Sequence, residues 1–234
     1  MGREWLHQSV RGGVGALHRD PIGILLPAAG ALLVQVAWAL SVRFAWTLWA
    51  LPETVVFGAA AYVSASAFSS LFRAPLIAAG ARALDVPASG WRRFPALFVV
   101  QMVVAAVALA FAAVIAVPAV LAALLLASRQ LFLFAAVLLG LGAVGAAFAG
   151  LAVRAMFAFA PIEAVLGGQG PLRALALGVQ KSRSDRVQLL ILILLGDILV
   201  GFGGLFCGAG ALPGYPFSDL ALTHRWLRIV PEST

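Results

Sequence analysis

The chain has 234 residues, 63% of them hydrophobic and 11% charged, with a mean hydropathy of +1.04. Soluble domains run at roughly 45 to 50% apolar and about 25% charged, so a water-soluble globule is excluded and most side chains must meet lipid or one another inside a bilayer. In a soluble protein the net charge of +7 would suggest nucleic acid; beside membrane spans such charges act as topological signals and headgroup contacts, and no nucleic-acid partner is expected.

Met1 to Asp20 carries Arg3, Glu4, Arg11, His18, Arg19 and Asp20 ahead of an apolar run too long for a cleaved signal core. Residues 1–20 are therefore read as a cytoplasmic segment before an uncleaved anchor, and 21–230 as a single transmembrane helical domain. Pro21 to Val42 is uncharged over 22 residues, which matches the ~20 residues needed to cross ~30 Å of hydrocarbon. This predicts the first span at 21–42. The second, at 54–81, contains Arg73. Phe94 to Ser128 holds no charge over 35 residues. With no polar turn inside it, the run predicts one tilted or Pro118-bent helix over 94–127 rather than two.

Ser128, Arg129 and Gln130 turn the chain into a fourth span at 131–166, which the sequence Gly167-Gly168-Gln169-Gly170-Pro171 ends. In 172–186, Leu172, Leu175, Ala176 and Val179 recur at i, i+3, i+4 and i+7, the stripe of a helix lying in the headgroup region; an ordinary loop helix is the alternative. Arg173, Lys181, Arg183 and Arg186 on this segment are expected to contact anionic phospholipid headgroups. The fifth span, 187–205, is interrupted by Asp197. The sixth, 217–229, carries Asp219, His224, Arg225 and Arg228 and is expected to cross obliquely or lie in the interface.

The expected fold is thus all-α: a polytopic transmembrane helical bundle of about six spans with an interfacial amphipathic helix before the fifth. Twelve basic residues then fall on the side of the termini, and Arg43 and Arg129 on the other, which orients both termini to the cytoplasm. The composition, rich in Ala, Gly and Arg, points to a bacterial inner membrane. Trp46 and Trp49 are assigned to the outer aromatic belt, Trp91 and Trp226 to the inner. Prolines in Arg73-Ala74-Pro75, Phe159-Ala160-Pro161 and Gly214-Tyr215-Pro216 hint at three repeated hairpins, and Pro75 and Pro161 predict kinks.

The residues that could carry chemistry are the intramembrane ions Arg73, Arg154, Glu163 and Asp197, since a charge at mid-bilayer costs roughly 2.5 to 3.5 kcal/mol. Asp197 lies near the centre of its span and calls for Arg154 or Arg73 as counter-ion. The pair is either a proton or solute site or a structural ion pair. Glu163 can accept from Arg173 or Lys181. Ser64, Ser66, Ser69 and Ser70 either line a cavity or bond to their own helix. Gly204 and Gly208 form a G-x-x-x-G pair for close helix contact, and Cys207, the single cysteine, forms no internal disulfide.

The chain contains no H-E-x-x-H, P-loop or G-x-S-x-G motif, and His7, His18 and His224 lack metal-ligand spacing. No enzyme activity, catalytic residue, cofactor or metal is expected.

From Phe159 to Arg228 the order Pro161, Glu163, Gly170, Ala174-Leu175 and Ser182, then a glycine-rich helix and Gly208-x-Gly210 before Pro216, resembles the membrane domain attached to some glycerophosphoryl diester phosphodiesterases and to related stand-alone bacterial proteins. The resemblance implies a helical membrane module without phosphodiesterase chemistry. The leading expectation is a non-enzymatic scaffold or subunit of a membrane assembly, bound to lipid, to a membrane-protein partner or to a second copy of itself. The alternative is a small transporter or permease subunit using an intramembrane Asp/Arg pair.

Overall fold

A computed structural model of the chain describes residues 2–48, 51–88, 91–205 and 211–229, which form helices and turns and contain no strand. The order is α1 (Gly2–Arg19), α2 (Pro21–Leu48), α3 (Leu51–Phe68), α4 (Ser70–Ala83), a 3-10 turn (Trp91–Arg93), α5 (Phe94–Ser128), α6 (Phe132–Met156), α7 (Ala160–Val165), α8 (Pro171–Ser182), α9 (Arg186–Leu205) and α10 (Ala211–Ile229). Among the described residues four stretches are long and apolar enough to cross a membrane: Pro21–Leu48, Val55–Ala83, Trp91–Ser128 and Phe132–Val165. Gly204–Gly208, Cys207 and Trp49, as side chains, lie outside what is described.

The apolar surplus is spent outward. Phe111, Val114, Leu121 and Leu125 on α5 and Phe132, Leu133, Phe134 and Leu141 on α6 are all exposed, as lipid-facing side chains must be. α5 is a single helix with Pro118 inside it, as its unbroken run predicts. Its first half buries Leu97, Val100, Gln101, Val104, Ala105 and Ala108, a helical stripe facing the bundle.

Two spans break, though not where proline alone would place the break. The second breaks at Ser69, where Ser69 Oγ donates to Ser66 O at 2.7 Å, and Pro75 stays within α4. The fourth breaks at Phe157–Phe159, and Pro161 occupies the first turn of α7.

α10 contains the segment expected to cross obliquely or lie in the interface. It packs against α1, α2, α4 and α9 at the centre of the bundle and buries Pro216, Asp219, Leu220, Ala221, Leu222, Thr223 and Trp226. Its low hydropathy reflects polar groups satisfied inside the bundle, not exposure to water: Asp219 meets Arg73 on α4, and Thr223 Oγ1 donates to Asp219 O one turn earlier in α10 at 2.7 Å. Trp226, expected in the inner aromatic belt, is buried in the core.

The N-terminal segment folds as α1, which the sequence reading leaves without structure. Ser9, Gly13 and Ala16 are buried along one face. A Cβ on Gly13 would stand 3.2 Å from Ala221 N and 3.4 Å from the Leu220 side chain, so glycine is what lets α1 lie against α10. On α8 the packed face is Ala174, Leu175, Gly178 and Ser182. Of the predicted stripe, Leu175 turns inward, while Leu172 and Ala176 are exposed. A smaller residue wins the interior because α7 approaches closely: a Cβ on Gly178 would fall 2.6 Å from Ala160 N.

Candidate functional site

The helix ends at Val165, Arg186 and Ile229 are tied together by side chains at one end of the bundle. Arg225 on α10 donates to Asp185, before α9, at 2.9 Å. Glu163 on α7 accepts from the Trp226 indole at 2.7 Å and pairs with Lys181 on α8 at 2.5 Å. The Lys181 ammonium also lies 5.3 Å from the Trp226 ring centroid, within cation–π range. Of the two donors expected for Glu163, the structure joins Lys181 to it and leaves Arg173 exposed. Lys181 is thereby turned inward, away from its expected headgroup role, whereas Arg173, Arg183 and Arg186 remain exposed.

Four ions stand ten or eleven residues in from those ends and from Ala83, the end of α4. Arg73 stands ten residues before Ala83, Arg154 eleven before Val165, Asp197 eleven after Arg186 and Asp219 ten before Ile229. At 1.5 Å per residue, ten residues of helix are about 15 Å. The four ions form two pairs. Arg154 Nη1 and Nη2 donate to the two Asp197 oxygens at 2.5 and 3.1 Å; Arg73 Nε and Nη2 donate to the two Asp219 oxygens at 2.8 and 2.5 Å. Both are two-point contacts, the strong geometry for a guanidinium and a carboxylate. Asp197 thus takes Arg154 as its counter-ion, and Arg73 has a partner of its own.

The pairs face one cavity of about 320 Å³, lined also by Gln35, Ser66, Ser69, Gln101, Tyr215 and Ser218. They differ in enclosure. The Arg154 and Asp197 side chains are each 43% exposed, whereas Arg73 and Asp219 are 24% and 6% exposed. Gln101 is only 7% exposed, and its Nε2 has no hydrogen-bond partner. A buried unpaired amide donor costs about 1 to 3 kcal/mol, which a hydrogen-bond acceptor in the cavity would recover. Of the four serines, Ser66 and Ser69 line the chamber, Ser64 is exposed and Ser70 is buried beside it. Ser69 does both things expected of it, lining the cavity and bonding within its own helix.

Sequence reasoning missed Asp219, Tyr215 and Gln101 as members of this site. Two signals were present. Gln101 is the one strongly polar side chain between Phe94 and Ala127, and Tyr215 and Asp219 stand four apart on one face of a segment too polar to meet lipid. Among the described residues no group of three or more His, Cys, Asp or Glu could hold a metal ion.

No family model matches the chain, and no curated protein or solved structure matches it.

Proposed function

We propose that this protein is a small polytopic membrane carrier whose solute site is the chamber between Arg154–Asp197 and Arg73–Asp219. In this reading α9 and α10 are the fifth and sixth crossings, the basic helix ends face the cytoplasm, and α8 rides in the headgroup layer. The exposed Arg173, Arg183 and Arg186 there meet anionic lipid.

The observation that carries the reading is the unpartnered, buried Gln101 amide in a cavity lined by two ion pairs. A scaffold that uses ion pairs to hold helices together gains nothing from a chamber between them, because every void forfeits packing. A carrier needs such a chamber, since polar groups at the midplane replace the water a solute leaves behind. The two pairs divide the work. Arg73–Asp219, the more enclosed, fixes α4 to α10. Arg154–Asp197, the more exposed, meets the solute, whose acceptor oxygens compete for the guanidinium while its donors compete for the carboxylate. No bond-making chemistry is assigned to the site.

The test is to purify the wild-type chain and Asp197→Asn in native-lipid nanodiscs and to identify by mass spectrometry every small molecule, lipid and protein that co-purifies. A solute or lipid enriched with the wild type and lost from the variant supports a carrier. A stoichiometric protein partner retained by both, with no Asp197-dependent small molecule, overturns it in favour of the scaffold reading.

A further inference from the structure

The polar chamber shares lining residues with a larger, more apolar space. This second cavity has a volume of about 660 Å³, and both are lined by Tyr62, Ala108, Arg154 and Asp197. This second space is a cleft with an apolar interior. α3 packs on α2 and α5, and α6 packs on α5 and α9. Between them run small residues, including Gly58, Ala59, Ala112, Ala147 and Gly150. Val55 and Phe148 at its rim are exposed apolar side chains, so the cleft opens where lipid chains lie. Its size falls within the roughly 300 to 1,000 Å³ of small-molecule sites.

Beside Tyr62, which lines both spaces, stands a second unpartnered donor. Trp38 lines the apolar cleft, its indole Nε1 is buried without a hydrogen-bond partner, and its ring stands edge-on to Tyr62 with centroids 5.7 Å apart. From one end to the other the joined space therefore presents four ions and an amide donor, then an isolated indole donor, then hydrocarbon. A molecule matching that sequence has a charged head, an acceptor-bearing neck and an apolar tail. The two arginines and two aspartates sum to zero charge, which suits a head carrying both signs. A net anion would leave charge uncompensated there.

We infer that the solute is a zwitterionic phospholipid. Its phosphate lies against Arg154 and Gln101, its ammonium against the carboxylates, an ester carbonyl at the Trp38 N–H, and an acyl chain between α3 and α6. This rests on the chamber being a solute site and names the class of solute it takes.

The test uses the full chain in nanodiscs containing phosphatidylethanolamine with a photoactivatable diazirine on one acyl chain; irradiation and peptide mapping then locate the chain. Labelling is expected on the cleft walls, residues 55–62 and 146–151, above that on the outer apolar face at 132–141. Ala147→Trp, which fills the cleft, should cut wall labelling at least fivefold. Gly58→Leu fills it from the opposite wall, where a Cβ meets only Val42 at 3.8 Å, and keeps the test decisive if Ala147→Trp does not fold. Gln101→Leu should also weaken labelling, and unlabelled phosphatidylethanolamine should compete better than phosphatidylglycerol. Labelling spread evenly over both faces and indifferent to the variants means annular lipid only and overturns the inference. Competition by phosphatidylglycerol as good or better overturns the zwitterionic class. An Asp197-dependent water-soluble molecule without cleft labelling overturns the lipid while leaving the carrier reading standing.

Discussion

Asp219 on α10 accepts two hydrogen bonds from Arg73 on α4, across 146 residues of sequence, and is 6% exposed. Removing one member of so enclosed a pair strands the other, which costs about 3 to 5 kcal/mol, whereas replacing both with apolar residues of similar volume is often neutral. Asp219→Asn should therefore lower the melting temperature in detergent by roughly 10 °C, at about 2 to 4 °C per kcal/mol for a chain of this size. The double variant Arg73→Met with Asp219→Leu should recover most of that loss. A double variant no more stable than the single one would show that the pair is not the unit holding α4 to α10.

Arg154–Asp197 is the more exposed pair, so its loss should register in binding before it registers in stability. Asp197→Asn should cost about 1 to 2 kcal/mol and lower the melting temperature by only a few degrees, yet abolish retention of the co-purifying solute. Melting curves and mass spectra on one preparation separate the two effects.

Glu163 serves two donors at once, the Lys181 ammonium and the Trp226 indole. Glu163→Ala leaves both without that acceptor and should loosen α8 from α10. Glu163→Gln keeps an acceptor for Trp226 and should do less damage. Limited proteolysis between Gly167 and Gly170 should accelerate strongly for the alanine variant and modestly for the glutamine one. Equal rates would mean that the carboxylate charge alone matters.

Two glycines provide a matched comparison. A side chain at Gly178 would press on the Ala160 backbone, while Gly150 has nothing within 4 Å of an added Cβ. Gly178→Val should cost about 1 to 3 kcal/mol through overpacking, whereas Gly150→Ala should be neutral or stabilise by roughly 0.5 to 1 kcal/mol. Thermal melts of both against the wild type check this.

Arg173, Arg183 and Arg186 are exposed on and just after α8. A juxtamembrane basic residue contributes about 1 kcal/mol of attraction to anionic lipid. Replacing all three with glutamine should lower the anionic-lipid content of co-purified nanodiscs and its salt sensitivity, without lowering the melting temperature.

Hydropathy along the chain was enough to read it as helical and membrane-embedded and to place its four most apolar stretches, because hydrophobic runs of the length needed to cross hydrocarbon are a one-dimensional signal. It also singled out Asp197 and Arg154, since an unscreened charge in such a run requires a partner. What it left open was which partner, and the central place of α10. Arg154 and Asp197 are 43 residues apart and Arg73 and Asp219 are 146 apart, so pairing depends on which helices pack together. Hydropathy read α10 as marginal for a physical reason: a helix wrapped by four others need not be apolar, because its neighbours supply the hydrogen bonds that lipid cannot. Only the tertiary structure could bring those polar faces around one chamber.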